Sequence, residues 1–205
     1  MRRAAVLIGL ACAFLVQAAS LNAGYSERTR NGRVASGMET SGPPLSAQAG
    51  QAPQPGPEMQ RLNFLIGTWD TVSEYEKSPM MPNGGKQNGW YKAQLGPGGF
   101  SVIADLEEDS AMGKDLGHEI ISWDPKKGSY TVVVLGNAFP GAIMGTGKWE
   151  GDDFVIVNEV GEGASAVHLR ATYLRPQGNV LHIEESYRVG DGPSKLMYKA
   201  TATKK

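Results

Sequence analysis

Few residues in this chain have the type and spacing to carry chemistry. The three histidines are His118, His168 and His182. No His-x-His or His-Glu-x-x-His spacing joins one of them to a second metal ligand within a single element. Met80 and Met81 stand side by side in Ser78-Pro79-Met80-Met81-Pro82-Asn83-Gly84-Gly85. Two thioethers suit a soft metal ion but do not complete a site, so the pair reads as an adaptable apolar loop at a cavity mouth. Asp105, Glu107, Glu108 and Asp109 end one strand-like run and Asp152-Asp153 occupy a turn. Neither group has calcium-loop spacing, and both read as solvated surface. There is no Gly-x-Ser-x-Gly elbow, phosphate loop or dinucleotide fingerprint: Gly96-Pro97-Gly98-Gly99 joins two strand-like runs and opens no helix.

The richest polar grouping lies about the turn at residues 176–179. Registering that hairpin on Gln177 and Gly178 pairs Arg175 with Val180 and Tyr173 with His182. Tyr173, His182 and Arg188 then share a face, where they would anchor a carboxylate head group if that face lines an interior. Arg170 takes the role if the opposite face does. His182 and Glu184, two apart on one strand face, have the geometry of an acid/base pair. His168 falls opposite Tyr187 on the other face, so the hairpin builds no two-histidine metal site.

These residues need walls to hold them, and the pattern from Leu65 onward supplies strands. Short runs rich in β-branched and aromatic residues cover 67–77, 86–95, 100–109, 117–124, 129–136, 142–150, 153–160, 165–175, 180–189 and 195–203. Turn chemistry such as Asp124-Pro125-Lys126-Lys127-Gly128 and Gly190-Asp191-Gly192-Pro193 separates them. No sustained 3.6-residue apolar period appears; residues 58–64 allow a turn or two of helix. Ten sequential antiparallel strands form an open sheet or a closed barrel, and closure removes the two edges. The expected fold is therefore all-β, a single antiparallel meander barrel of about ten strands, wide enough for a ligand.

The ends of the chain bound its setting. Met1-Arg2-Arg3, an uncharged run over residues 4–16 and Gln17-Ala18-Ala19-Ser20 have the order of a secretory signal, assigned to 1–23 with a cut after Ala18 or Ala23. The apolar run is too short to span a bilayer. Residues 24–57, rich in Gly, Pro, Ser, Ala and Gln in their second half, read as a disordered linker before a domain at 58–205. Loss of Cys12 with the signal leaves no thiol for a disulfide or metal. Removing Arg2 and Arg3 leaves 18 basic against 21 acidic residues, which with the absence of a basic run excludes a nucleic-acid footprint. The expected location is periplasmic or extracellular, with no membrane span.

Leu62-Asn63-Phe64-Leu65-Ile66-Gly67-Thr68-Trp69 is the most specific local motif: glycine lets the chain enter a barrel tightly and the tryptophan plugs its floor. It resembles the opening of lipocalins and related calycin barrels. With the loop at 78–85, Gly98-Gly99-Phe100, Asp124-Pro125 followed by Gly128 and Tyr130, and Met197-Tyr198-Lys199-Ala200-Thr201, the domain resembles the bacterial exported family called domain of unknown function 1579. That resemblance implies a lipocalin-like barrel, structural roles for Gly67 and Trp69, and no particular activity. Calycins typically pack a late arginine on the floor tryptophan; here only lysines, among them Lys199, Lys204 and Lys205, stand near the C-terminus. Nitrobindin, another ten-stranded barrel with a Gly-x-Trp opening, binds haem through one histidine; by that comparison His182 is the axial candidate, although Asp70-Thr71-Val72-Ser73 lacks the glycines found there. No other cofactor is expected. The functional expectation is a non-enzymatic binder of a small hydrophobic or amphipathic molecule. The alternatives are an enzyme acting on a lipid-like substrate in the lumen and a filled-core interaction module.

Overall fold

The computed structural model describes residues 54–78, 81–110, 113–137 and 139–205. The signal, almost all of the linker, Cys12 and Met80 lie outside them. A short helix α1 (Pro57–Arg61) runs into a 3-10 turn (Leu62–Leu65). Ten strands follow: β1 (Gly67–Tyr75), β2 (Gly85–Leu95), β3 (Ser101–Ser110), β4 (Gly113–Asp124) and β5 (Ser129–Gly136), then β6 (Ala142–Glu150), β7 (Asp153–Val160), β8 (Val167–Tyr173), β9 (Val180–Val189) and β10 (Lys195–Lys204). Each pairs antiparallel with its sequence neighbours, and β1 pairs with β10 from Trp69↔Lys204 to Tyr75↔Tyr198, closing the barrel. Among the described residues no helix is long and apolar enough to cross a membrane.

The turn chemistry explains the meander. Asp124 Oδ1 accepts from the backbone N–H of Lys126 at 3.0 Å and of Lys127 at 3.3 Å, and Gly128 takes φ 62° to bring the chain into β5. The β8–β9 connection departs from the expected register. Gln177 and Val180 close a tight bridge, but Pro176 has no N–H to give a ladder, and three residues on the β8 side oppose two on the β9 side. The ladder therefore pairs Tyr173 with Ile183 and His168 with Arg188. A slip of one residue exchanges faces, so Tyr173 points inward while His182, Glu184 and Arg188 point outward.

The barrel's two ends are filled differently. At the end where β1 begins, Leu62 and Leu65 meet Trp69, Val102, Ile121, Tyr130, Val132, Phe154 and Leu181 in one buried cluster. Trp69 donates its indole N–H to the carbonyl of Leu65 at 2.9 Å, and the Tyr130 hydroxyl donates to that of Glu58 at 2.7 Å, tying the N-terminal plug to the wall. Lys204 places its ammonium 5.3 Å from the Trp69 ring centre, the position where the calycin comparison looked for an arginine. At the opposite end Tyr75, Val167, Leu169, Tyr187 and Met197 form a second cluster, with Met81 packed against it.

Candidate functional site

Between the two clusters the barrel holds a cavity of about 170 Å³. Its walls combine apolar side chains, among them Val134, Ile156, Leu169, Leu181 and Ile183, with a polar set. That set is built by parity. On β3 the inward positions Val102, Ala104 and Leu106 continue to Glu108; on β4, Gly117 and Ile121 flank Glu119; on β9, Leu181 and Ile183 lead to Glu185. Each strand thus turns a carboxyl inward among apolar neighbours, and β4 turns a second, Asp115, which pairs in register with Glu108.

Tyrosines from neighbouring strands meet these carboxyls. Tyr75 of β1 donates its hydroxyl to Glu108 Oε2 at 2.8 Å, and Tyr198 of β10 donates to Glu185 Oε2 at 2.8 Å. The two rings lie against each other at 4.9 Å, so one aromatic pair bridges two carboxyls. Tyr91 of β2 approaches Glu119, but its buried hydroxyl meets no partner in hydrogen-bond geometry; the buried carboxamide oxygen of Asn158 on β7 is also without a partner. Tyr173 of β8 completes the ring of phenols.

The electrostatics follow from burial without counter-charge. Burial pushes Glu119 up to about 7, with Glu185 adding to the rise and the Tyr91 hydroxyl opposing it. Burial likewise pushes Glu185 up to about 7, opposed by the bond from Tyr198 and reinforced by Glu108. Glu108 is raised by burial, against bonds from Ser73 and Tyr75 and with the help of Asp115. The phenols of Tyr75, Tyr91, Tyr173 and Tyr198 are all held well above their ordinary range, first by burial and then by these carboxyls. No lysine, arginine or histidine lines the cavity among the described residues.

Most of the polar residues singled out from sequence stand outside this chamber. His182 is exposed, with Nδ1 3.3 Å from the Thr201 hydroxyl, and Glu184 accepts from Lys199 at 2.6 Å on the outer wall. Neither can act on a molecule in the lumen as an acid/base pair, and a haem there would find no axial histidine. His118 and His168 also lie on the outer parity, within 2.7 Å of Asp105 and 3.1 Å of Glu159 respectively. Arg188 donates to the carbonyl of Gly190 at 2.6 Å, and Arg170 makes a two-pronged bond to Glu150 at 3.1 and 2.6 Å. The proposed carboxylate anchors are therefore spent on the surface, and Tyr173 alone of that trio faces inward. Met81 packs over the cluster at the barrel mouth. The acidic end of β3 also divides: Glu107 and Asp109 pair with Lys114 outside, while Glu108, read from sequence as solvated, is buried.

Comparisons with known proteins bear on the fold. No protein-family model matches the chain, and no curated protein matches it. A solved structure, that of Rv2717c from M. tuberculosis, superposes with a TM-score of 0.53 at 17% identity, covering 74% of this chain and 99% of that one. The likeness is one of fold. Both chains build the same kind of barrel.

Proposed function

We propose that the domain is an exported, non-enzymatic binder that holds a small amphipathic molecule inside its barrel. The observation that carries this reading is the cavity inside the barrel between two packed clusters, lined by both apolar and polar side chains. A structural module with a filled interior would have no reason to turn three carboxyls and four phenols inward, since each costs free energy to bury. Residues 1–23 supply the export signal and 24–57 the tether in this reading.

The test is native mass spectrometry of the full chain expressed in a bacterial host, before and after organic extraction. The expected result is an added mass that extraction removes, on a chain shortened at Ala18 or Ala23. A bare mass in both samples, together with no fluorescence enhancement of the neutral apolar probe N-phenylnaphthylamine, would sink the carrier reading.

A further inference from the structure

The composition of the chamber specifies its occupant more narrowly. Three carboxyls from three strands face one space, four phenols stand around them, and no basic side chain enters it among the described residues. A neutral ligand would need none of this. An anionic one would be repelled, because Glu185 interacts with Glu108 as well as Glu119, and Glu108 with Asp115. A metal ion does not fit either: among the described residues no three carboxylate, histidine or cysteine side chains approach closely enough to hold one. The carboxyls surround a volume and do not converge on a point.

We infer that the ligand is an organic ammonium ion, its charged head among Glu108, Glu119 and Glu185 and its apolar part against Leu181, Ile183 and Leu169. This rests on the carrier reading above and names its ligand class. Tyrosine faces attract such a head, and a cation in their midst supplies the counter-charge that the wall lacks. The two unpartnered atoms, the Tyr91 hydroxyl and the Asn158 carboxamide oxygen, are both able to accept from an ammonium N–H or from water bound to it. The Asn158 oxygen stands on β7, which contributes none of the three carboxyls, and with the Tyr91 hydroxyl beside Glu119 it marks the wall as unfinished without a guest.

Binding such a cation must favour the ionised carboxyls, so it is linked to proton release. The groups that face the carboxyls set the pH window: Ser73 and Tyr75 from β1 and Asp115 from β4 about Glu108, Tyr91 from β2 and Tyr173 from β8 about Glu119, and Tyr198 from β10 about Glu185. With Glu119 and Glu185 near 7, the ionised fraction of each rises from about a thirtieth at pH 5.5 to about nine-tenths at pH 8.

The experiment is calorimetric titration of the full-length protein with n-hexylammonium, n-hexanol and n-hexanoate, at pH 8 and at pH 5.5. At pH 8 hexylammonium should bind at least tenfold more tightly than hexanol, and the protons released on binding should be few at pH 8 and more numerous at pH 7, where the carboxyls are half ionised. That advantage should shrink to less than threefold at pH 5.5 and in the isosteric double variant Glu119→Gln/Glu185→Gln, but persist in Asp152→Asn, whose carboxylate pairs with Arg175 outside the barrel at 3.0 Å. Melting curves of the double variant confirm that it folds. If hexylammonium shows no advantage over hexanol at pH 8, the ammonium inference is overturned; hexanol binding in that case leaves the carrier reading standing, and the absence of binding by all three removes both.

Discussion

Glu119 and Glu185 keep their protons to about pH 7 in the folded chain, against an ordinary value of 4.5. The folded state thus binds more protons than the unfolded state between those limits, and stability must fall as pH rises through that window. The favourable contribution is fully present below about pH 4.5 and gone above about 7, on the order of 3 kcal/mol for each group. Unfolding by urea should show a lower midpoint at pH 8 than at pH 5.5, and Glu119→Gln should flatten the difference by raising the pH 8 value. An unchanged pH 8 midpoint in that variant would mean the carboxyl is not desolvated. Trp69 tests the opposite end. It is 2% exposed and bonded to Leu65, so Trp69→Ala should cost about 3–5 kcal/mol in the same assay, and Trp69→Phe about 1–2 for the lost N–H bond. Trp69 was legible from its motif. Glu119 was not, because a carboxyl on a strand reads as surface until its neighbours in parity are known to be core. The trace was present in the sequence: Leu181, Ile183 and Tyr187 share a face with Glu185, and a charge interrupting an apolar alternation is the signal to follow.

At the level of elements, β6 and the β8–β9 hairpin decide what reaches the interior. β6 offers glycine at two inward positions, Gly145 and Gly147, opposite β7. A methyl group on Gly147 would sit 2.7 Å from the Phe154 ring and 3.1 Å from Cβ of Tyr130, whose rings pack edge-to-face at 5.2 Å. Gly147→Ala should therefore cost about 1–3 kcal/mol by overpacking, read as a fall in melting temperature of several degrees. A change of less than a degree would show that the aromatic cluster yields freely. The β8–β9 hairpin illustrates the limits of reading registers. Its turn residues were evident, but Pro176 shifts the ladder by one, and with it the whole polar set of β9 passes from candidate lumen to outer wall. His182→Ala should accordingly leave both stability and hexylammonium binding within about 0.5 kcal/mol of the parent, as expected for an exposed side chain away from the cavity. A tenfold loss of binding would return His182 to the chamber.

Across the whole molecule, closure is the controlling feature. Seven residue pairs join β1 to β10, and Lys204 reaches from the last strand to the Trp69 ring on the first. Ending the chain after Val189 would leave β1 and β9 as open edges and expose the lumen to solvent. The expected outcome is a chain that aggregates on expression, since unpaired strand edges template association. A soluble product with intact β-sheet circular dichroism would show that the seam is dispensable.

The sequence by itself determined the number of strands, the places of the turns, the plug motif and the all-β class, because those depend on interactions between near neighbours: alternation along a strand, glycine and asparagine in tight turns, an indole four residues from its acceptor. It also marked residues 1–23 and 24–57 as unlike the rest. Which face of each strand looks inward was decided only by tertiary structure. Parity is absolute once a register is set, and the register depends on a bulge and on barrel closure between residues far apart in sequence. That choice put Glu108, Glu119, Glu185 and four tyrosines around one cavity and left every histidine outside it.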